Sequence, residues 1–354
     1  MTRFANWPSW AARLLLALLA GLTVYGAIPT PSRPGSAPVV FDDKTLYRNI
    51  AERVSHGEDY YTAANAEHRA HSYPTTPAQV FREPTMSWWL ALLGFDPLRQ
   101  AALIGLAVAT VMAARTALER WGLPPSRRIA ALAVLVTGLA IIGGHQMYFL
   151  HEAWAAMFIA LSLSLYRADR WAPSVALGVI ACLFRELALP YLMAMAAFAV
   201  LERRWRELAG WIVGCTIFAS LFAAHLSLAA SLRHAGDAPS QGWLAFRGLP
   251  FVLATARSNV ALYWAPGAVV ALAVGLSLIG LFGSRNPVAA RAALIVGGYM
   301  CAFLVVGRAD NFYWGYLYAP ILPLGVVLAP PALFDLWQRA MPQLAVRSTA
   351  VTPP

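Results

Sequence analysis

Runs of about 20 apolar residues, the length that crosses a bilayer as a helix, recur along this chain. They lie at 11–29, 97–115, 129–144, 152–167, 207–230, 259–283, 290–306 and 312–334. Charged residues make up only 12% of the 354, against about 25% in an ordinary soluble domain, and mean hydropathy is +0.56. This composition excludes a soluble enzyme, a disordered chain and a nucleic-acid-binding module. It predicts an all-α polytopic membrane protein, a single membrane domain over 1–354.

The stretch 173–201 differs from the other runs. It is apolar but broken by Arg185-Glu186 and then by Pro190. At about 1.5 Å per residue it is too long for one plain span and too short for two. The sequence predicts a hairpin of two short helices, 173–184 and 186–201, meeting near one membrane face.

Charge sets the orientation. With the N-terminus in the cytoplasm, the inside segments carry 15 basic residues against five acidic ones, Glu119, Asp169, Glu202, Glu207 and Asp335. The other 12 basic and 12 acidic residues fall outside or in the membrane, so the whole net charge of +10 lies inside, as the positive-inside rule requires. This needs 173–201 to begin and end inside. About ten transmembrane or half-spanning helices with both termini cytoplasmic are expected. The first run is long for a signal peptide, and Tyr25 and Ala27 make a poor cleavage site, so it reads as an uncleaved anchor. Cys182, Cys215 and Cys301 sit far apart in apolar stretches, show no disulfide or metal spacing, and read as small core residues.

One long polar segment, 30–96, forms the first outer loop. Pro29, Pro31, Pro34 and Pro38 give it an extended start, followed by Val39-Val40-Phe41. Over 43–56, Leu46, Tyr47, Ile50, Ala51 and Val54 fall on one helical face. Asp42 or Asp43 serves as N-cap and Gly57 closes the C-terminus. Such a helix is expected to lie flat on the membrane surface. A polar stretch runs from 58 to 79. Residues 81–90 then start a second short apolar helix whose Trp88-Trp89 pair suits an interface. The loop is thus expected to hold two interfacial helices.

The run Asp43-Lys44-Thr45-Leu46-Tyr47-Arg48-Asn49-Ile50-Ala51 resembles the first outer loop of polytopic glycosyltransferases of the GT-C superfamily. These include protein O-mannosyltransferases, lipid A aminoarabinose transferases and polyprenol-dependent mannosyltransferases. Their shared pattern is an Asp, a Tyr four positions on, an Ala four beyond that, then a Gly before an aromatic. Asp43, Tyr47, Ala51, Gly57 and Tyr60 or Tyr61 fit it. Glu83-Pro84-Thr85-Met86-Ser87-Trp88-Trp89 is similar to the family's Pro-rich turn into an aromatic helix, with Thr85 in place of the usual second Pro. His151-Glu152 stands where the family opens its fourth helix with an acidic residue, and Arg185 where its short helices meet at a basic one. Lys44 departs from the family's frequent Asp-Glu pair. The resemblance covers roughly 10–205.

What the resemblance implies is a fold of this kind in the bacterial inner membrane with its active site facing outside. It also implies transfer of a sugar from a polyprenyl-phosphate donor to a lipid, glycan or protein acceptor. An acceptor hydroxyl would attack the anomeric carbon while the lipid phosphate leaves. Such a reaction needs a carboxylate to take the hydroxyl proton and cations to balance the leaving phosphate. Asp43 is the expected base, with Asp42 in reserve; the bland role for both is helix capping. Arg185, a charge inside an apolar hairpin, is the first phosphate candidate. Its alternative is an ion pair with Glu186 or Glu152. Adjacent helical residues do not face each other, so pairing of 185 with 186 is not expected. Arg308 is a second candidate, which Asp310 would occupy in the bland reading. Arg82-Glu83 is a third polar pair on the same side, and Tyr47 completes the expected substrate-binding set.

His145, Tyr148, His151 and Glu152 cluster at one helix end. His151 and Glu152 are candidates to bind the acceptor. Two His and a Glu are also residue types that hold a divalent cation, the one cofactor considered, though polar lining of a loop is the preferred reading of the cluster. His56, His68 and His71 read as surface. Tyr313, Trp314, Tyr316 and Tyr318 read as an interfacial belt. Two other functions compete. A lipid or solute transporter predicts ionisable residues deep in several spans, which are clean here apart from Arg185-Glu186 and His225. A non-catalytic subunit of an envelope-polysaccharide assembly complex predicts that Asp43 is replaceable.

Overall fold

The computed structural model describes residues 1–28, 42–140, 144 and 146–341. The prolines from Pro29 to Pro38, Val39 to Phe41 and His145 lie outside them. Among the described residues every regular element is helical, and β contacts are confined to two isolated bridges, Thr76 with Pro239 and Leu244 with Val306. The α-helices are α1 (Ser9–Ala27), α2 (Asp43–Ser55), α3 (Tyr60–Ala70), α4 (Thr85–Leu93), α5 (Asp96–Arg120), α6 (Pro125–Ala140), α7 (His151–Leu165) and α8 (Ala172–Phe184). They continue with α9 (Leu189–Leu201), α10 (Trp205–Ser231), α11 (Gly248–Ala256), α12 (Val260–Tyr263), α13 (Gly267–Gly283), α14 (Pro287–Phe303) and α15 (Leu322–Ala340).

Among the described residues, α1, α5 and α10 are long and apolar enough to cross a membrane. A 3₁₀ segment, Ala309–Leu317, and α15 together make a fourth candidate, bent by 70° at the break between them. Only Ala12 of α1 is buried. Leu14, Leu18 and Val24 on α1 and Ile212, Val213 and Leu221 on α10 stand exposed. Apolar surface on this scale is what lipid covers and water does not. Small residues let the helices approach closely: a methyl on Gly26 would come within 2.6 Å of the Gly267 carbonyl oxygen where α1 crosses α13.

The centre of the molecule is α7. Twelve of its 15 residues, from His151 to Leu163, are buried. Four alanines and two serines keep its surface small, so neighbours pack closely against it. It is only about 22 Å long by helix rise, and α8 and α9 are shorter still. These lengths fall short of a hydrocarbon core of about 30 Å. Helices α2, α3 and α4 pack together as a cap, with α2 against the 3₁₀ turn Met147–Phe149 and α4 against α5 and α8.

The cap departs from the sequence expectation. The described residues of 30–96 hold three complete α-helices, not two. The unexpected one, α3, buries Tyr60, Ala63, Ala64, Glu67 and His68, a helical spacing disguised by small and polar residues. The apolar face of α2 (Leu46, Tyr47, Ile50, Ala51) is covered by α3, α4 and the Met147–Phe149 turn, so it meets protein and not lipid. Asp42 accepts the Thr45 backbone N–H at 2.9 Å, as an N-cap does. Gly57 follows with φ +90°, a conformation that favours glycine.

The hairpin at 173–201 forms as α8 and a Glu186–Ala188 turn running into α9. Two expected spans are broken by proline. The 259–283 run divides into α12 and α13 around Pro266, and 312–334 divides at Pro320 before α15. Proline cannot donate a helical hydrogen bond and pushes the preceding residue out of helical geometry.

Candidate functional site

Beneath the cap, four elements bring charged groups together. The first turn of α7 supplies His151 and Glu152, and the break after α8 supplies Arg185 and Glu186. The turn before α4 gives Arg82 and Glu83, and α2 gives Asp43 and Tyr47. The backbone of the 81–82 segment is pinned from two directions. The Tyr60 hydroxyl donates to the Arg82 carbonyl at 2.5 Å, and His225 Nε2 lies 3.3 Å from the Phe81 carbonyl.

Arg185 is fully buried. Its Nε donates to Glu152 Oε1 at 2.7 Å and its Nη1 to Glu186 Oε1 at 2.5 Å. The second contact overturns the sequence expectation for adjacent residues. Arg185 has φ −156° and ψ 113°, so it is extended, and the helical rule that separates neighbours does not apply. Arg82 Nη1 lies 3.7 Å from the same Glu186 oxygen, and Arg82 Nε donates to the Tyr47 hydroxyl at 3.2 Å. Tyr47 packs edge-on against the His151 ring, with centroids 4.5 Å apart. Two guanidiniums therefore face two partnered carboxylates, and their charge is matched.

Glu83 is the third carboxyl. It is buried, and neither oxygen has a hydrogen-bond partner beyond its own residue. Burial, then the neighbouring Glu186, holds this carboxyl well above its ordinary range. Glu186 Oε2, Arg185 Nη2, His151 Nδ1 and Trp314 Nε1 are also buried without a partner. Trp314 lies across the Arg185 guanidinium, 5.7 Å from ring centroid to Cζ. Native interiors leave few such groups unmet, and here they converge.

Asp43 sits at the edge of this cluster. The Tyr73 hydroxyl donates to Oδ1 at 3.1 Å and the Tyr313 hydroxyl to Oδ2 at 2.8 Å. Burial, then the Asp43 carboxylate itself, pushes the Tyr73 hydroxyl well up, and burial pushes Tyr47 up to about 12. Both hydroxyls stay protonated near neutrality. Asp42 instead points back to Thr45 as a cap, while Asp43 faces the two tyrosine hydroxyls.

Other sequence candidates lie elsewhere or have different roles. Arg308 pairs with Asp310 at 3.0 Å in an exposed ion pair. His68 is buried, not on the surface; it bonds the Pro74 carbonyl at 2.9 Å, and burial pushes it down to about 4. Trp314, Tyr316 and Tyr318 are buried and form no interfacial belt, because the 309–317 segment folds inward over α7. Cys301 is exposed, and only Cys182 is a core residue. Among the described residues, no three His, Cys, Asp or Glu side chains are grouped to hold a metal ion. Sequence reasoning missed Tyr73, a lone aromatic in a polar loop. It placed Tyr313 in a notable segment but not in its role.

No family model, no curated protein and no solved structure matches the chain.

Proposed function

We propose that the protein is a membrane glycosyltransferase of the GT-C kind. It moves a sugar from a polyprenyl-phosphate donor to an acceptor hydroxyl at the end of the molecule that carries the cap. In this reading the shorter apolar helices complete about ten crossings or half-crossings, and the capped end faces the outside of a bacterial plasma membrane.

The observation that carries the reading is the pair of tyrosines that orients Asp43 beside a buried cluster with unmet hydrogen-bonding groups. Asp43 accepts the proton of the attacking hydroxyl as that oxygen bonds to the anomeric carbon. The sugar–phosphate bond breaks and its electron pair leaves with the phosphate. Arg185 Nη2, Trp314 Nε1, His151 and Glu83 are the types of donor and acceptor that hold sugar hydroxyls. A charge-matched cluster suits a neutral polyol, since it has no surplus charge of its own to satisfy.

Asp43→Asn tests this in membranes supplied with a panel of radiolabelled polyprenyl-phosphate sugars. Transfer by the wild type, reduced about 10²- to 10⁴-fold in the variant as general-base loss predicts, supports the reading. Equal transfer by both moves the base to another carboxylate. Absence of transfer from every donor in wild type sinks the reading.

A further inference from the structure

A second pocket opens at the same end of the molecule, between the end of α1, α11, α12 and the 309–317 turn. Its volume is about 490 Å³. Its lining combines apolar Ile28, Pro250 and Leu253 with polar and aromatic Arg257, Tyr263 and Trp264. Among the described lining residues, Arg257 alone is charged.

Arg257 differs from the two arginines that the sequence offers for phosphate. Arg185 and Arg308 have carboxylate partners. Arg257 has none among the described residues. Its Nη1 is fastened to three carbonyl oxygens, of Leu262, Tyr263 and Ala265, at 3.3, 3.2 and 2.7 Å. The contacts fix the guanidinium in place and leave its positive charge uncompensated. A rigid, unneutralised guanidinium in a pocket is an anion receptor, and its fork geometry suits phosphate.

The pocket shares a segment with the Asp43 site. Tyr316 lines it, while Tyr313 in the same 3₁₀ segment holds Asp43. Residues three apart in a 3₁₀ helix share a face, about 6 Å apart along the axis. Tyr316 also lies within electrostatic reach of Glu152.

We infer that this pocket binds a lipid phosphate, with Arg257 on the phosphate and the first units of the chain along Ile28, Pro250 and Leu253. The phosphate is placed at Arg257, and not at Arg185 or Arg308. That the phosphate is the one carrying the transferred sugar rests on the transferase reading.

The experiment measures retention of radiolabelled polyprenyl phosphate by the full-length protein in detergent. Arg257→Gln is expected to weaken retention about 10- to 100-fold, the value of a charge-assisted hydrogen bond, and Arg257→Lys to restore most of it. Arg257 also ties down α12, so Ala254→Trp serves as a second variant that fills the pocket while keeping Arg257 and its carbonyl contacts in the chain; it should weaken retention comparably. Polyprenol without phosphate should bind wild type and Arg257→Gln alike. Millimolar inorganic phosphate should compete poorly. Full competition would overturn the lipid assignment in favour of a free anion. Wild-type retention by folded Arg257→Gln and Ala254→Trp would overturn the site. Retention that depends on Arg257, with no sugar transfer by wild type, would sink the transferase reading and leave the phosphate site standing.

Discussion

Two buried ion-pair networks lie at opposite ends of the central helix, and they are built to different standards. At the end away from the cap, fully buried Arg291 makes a bidentate pair with Glu202 at 2.6 and 2.9 Å and donates to the Tyr166 hydroxyl at 2.8 Å. That hydroxyl donates to Glu207, which also accepts from Trp211 Nε1 at 3.2 Å. The guanidinium lies over the Tyr166 and Phe198 rings, 4.5 and 4.7 Å from their centroids. Only Arg291 Nε in this set lacks a partner. Under the cap, unmet atoms occur on Glu83, Glu186, Arg185, His151 and Trp314. Burying charge is costly in both places. The first network recovers the cost with its own partners and clamps α7, α9, α10 and α14 together. The second leaves hydrogen-bonding capacity open, which is the property of a site that receives a ligand.

The comparison breaks most sharply if function and stability do not separate along this line. The largest expected effect is loss of transfer in Asp43→Asn, measured with the thermal midpoint in detergent unchanged. Next is Arg291→Ala. It removes the bidentate partner of Glu202, which keeps only Arg204 at 3.1 Å, and removal of one partner of a buried pair costs about 3–5 kcal/mol. A fall in midpoint is expected, with transfer per folded molecule unaltered. An Arg291→Ala protein that keeps its midpoint and loses transfer would reverse the assignment of the two networks.

The difference between the networks was only half legible in the sequence. Arg185, Glu186, Glu152 and Asp43 announce themselves as charges at the edges or breaks of apolar runs. Arg291 reads as one more loop-side arginine, because its partners Tyr166 and Glu202 are 125 and 89 residues away. Helix existence followed from apolar run length, and the 173–201 hairpin from its central charges. Helix breaks followed less well. Pro266 and Pro320 lie within long apolar runs, where run length overrides proline in a simple reading. The cap was misjudged for a tertiary reason. An amphipathic helix looks the same whether lipid or protein covers it, and only the shortness of α7 and α8 decides that α2 packs on protein. The pairing of Arg185 with Glu186 depends on an extended backbone at a single residue, which no periodicity reveals.

A matched pair of tyrosine deletions sharpens the contrast at smaller magnitude. Tyr166→Phe removes a hydroxyl that bridges Arg291 and Glu207, and Tyr313→Phe removes one that orients Asp43. Hydrogen bonds to charged groups contribute about 1.5–3 kcal/mol. Tyr166→Phe should lose about that in unfolding free energy and keep its transfer rate. Tyr313→Phe should keep its stability, because solvent reaches Asp43, and should transfer about 10-fold more slowly. Equal stability losses in both would mean that Tyr313 is a packing element.

The smallest effect concerns Glu83, and its sign follows from proton linkage. The native state holds the Glu83 proton well above the ordinary carboxyl value of 4.5. Above that value an unfolded chain has released its proton while the folded chain retains it, so the folded state binds more protons and stability falls as pH rises. The loss begins near pH 4.5 and ends once the folded carboxyl itself titrates. Glu83→Gln replaces a neutral acid with a neutral amide of the same shape and removes this slope. Thermal midpoints of the two proteins should coincide near pH 4.5 and separate as pH increases, with the variant the more stable. Parallel curves from pH 4.5 to 8 would show that Glu83 is charged and partnered in the folded protein. The cluster under the cap would then be as complete as the Arg291 network, and its claim to be a binding site would weaken accordingly.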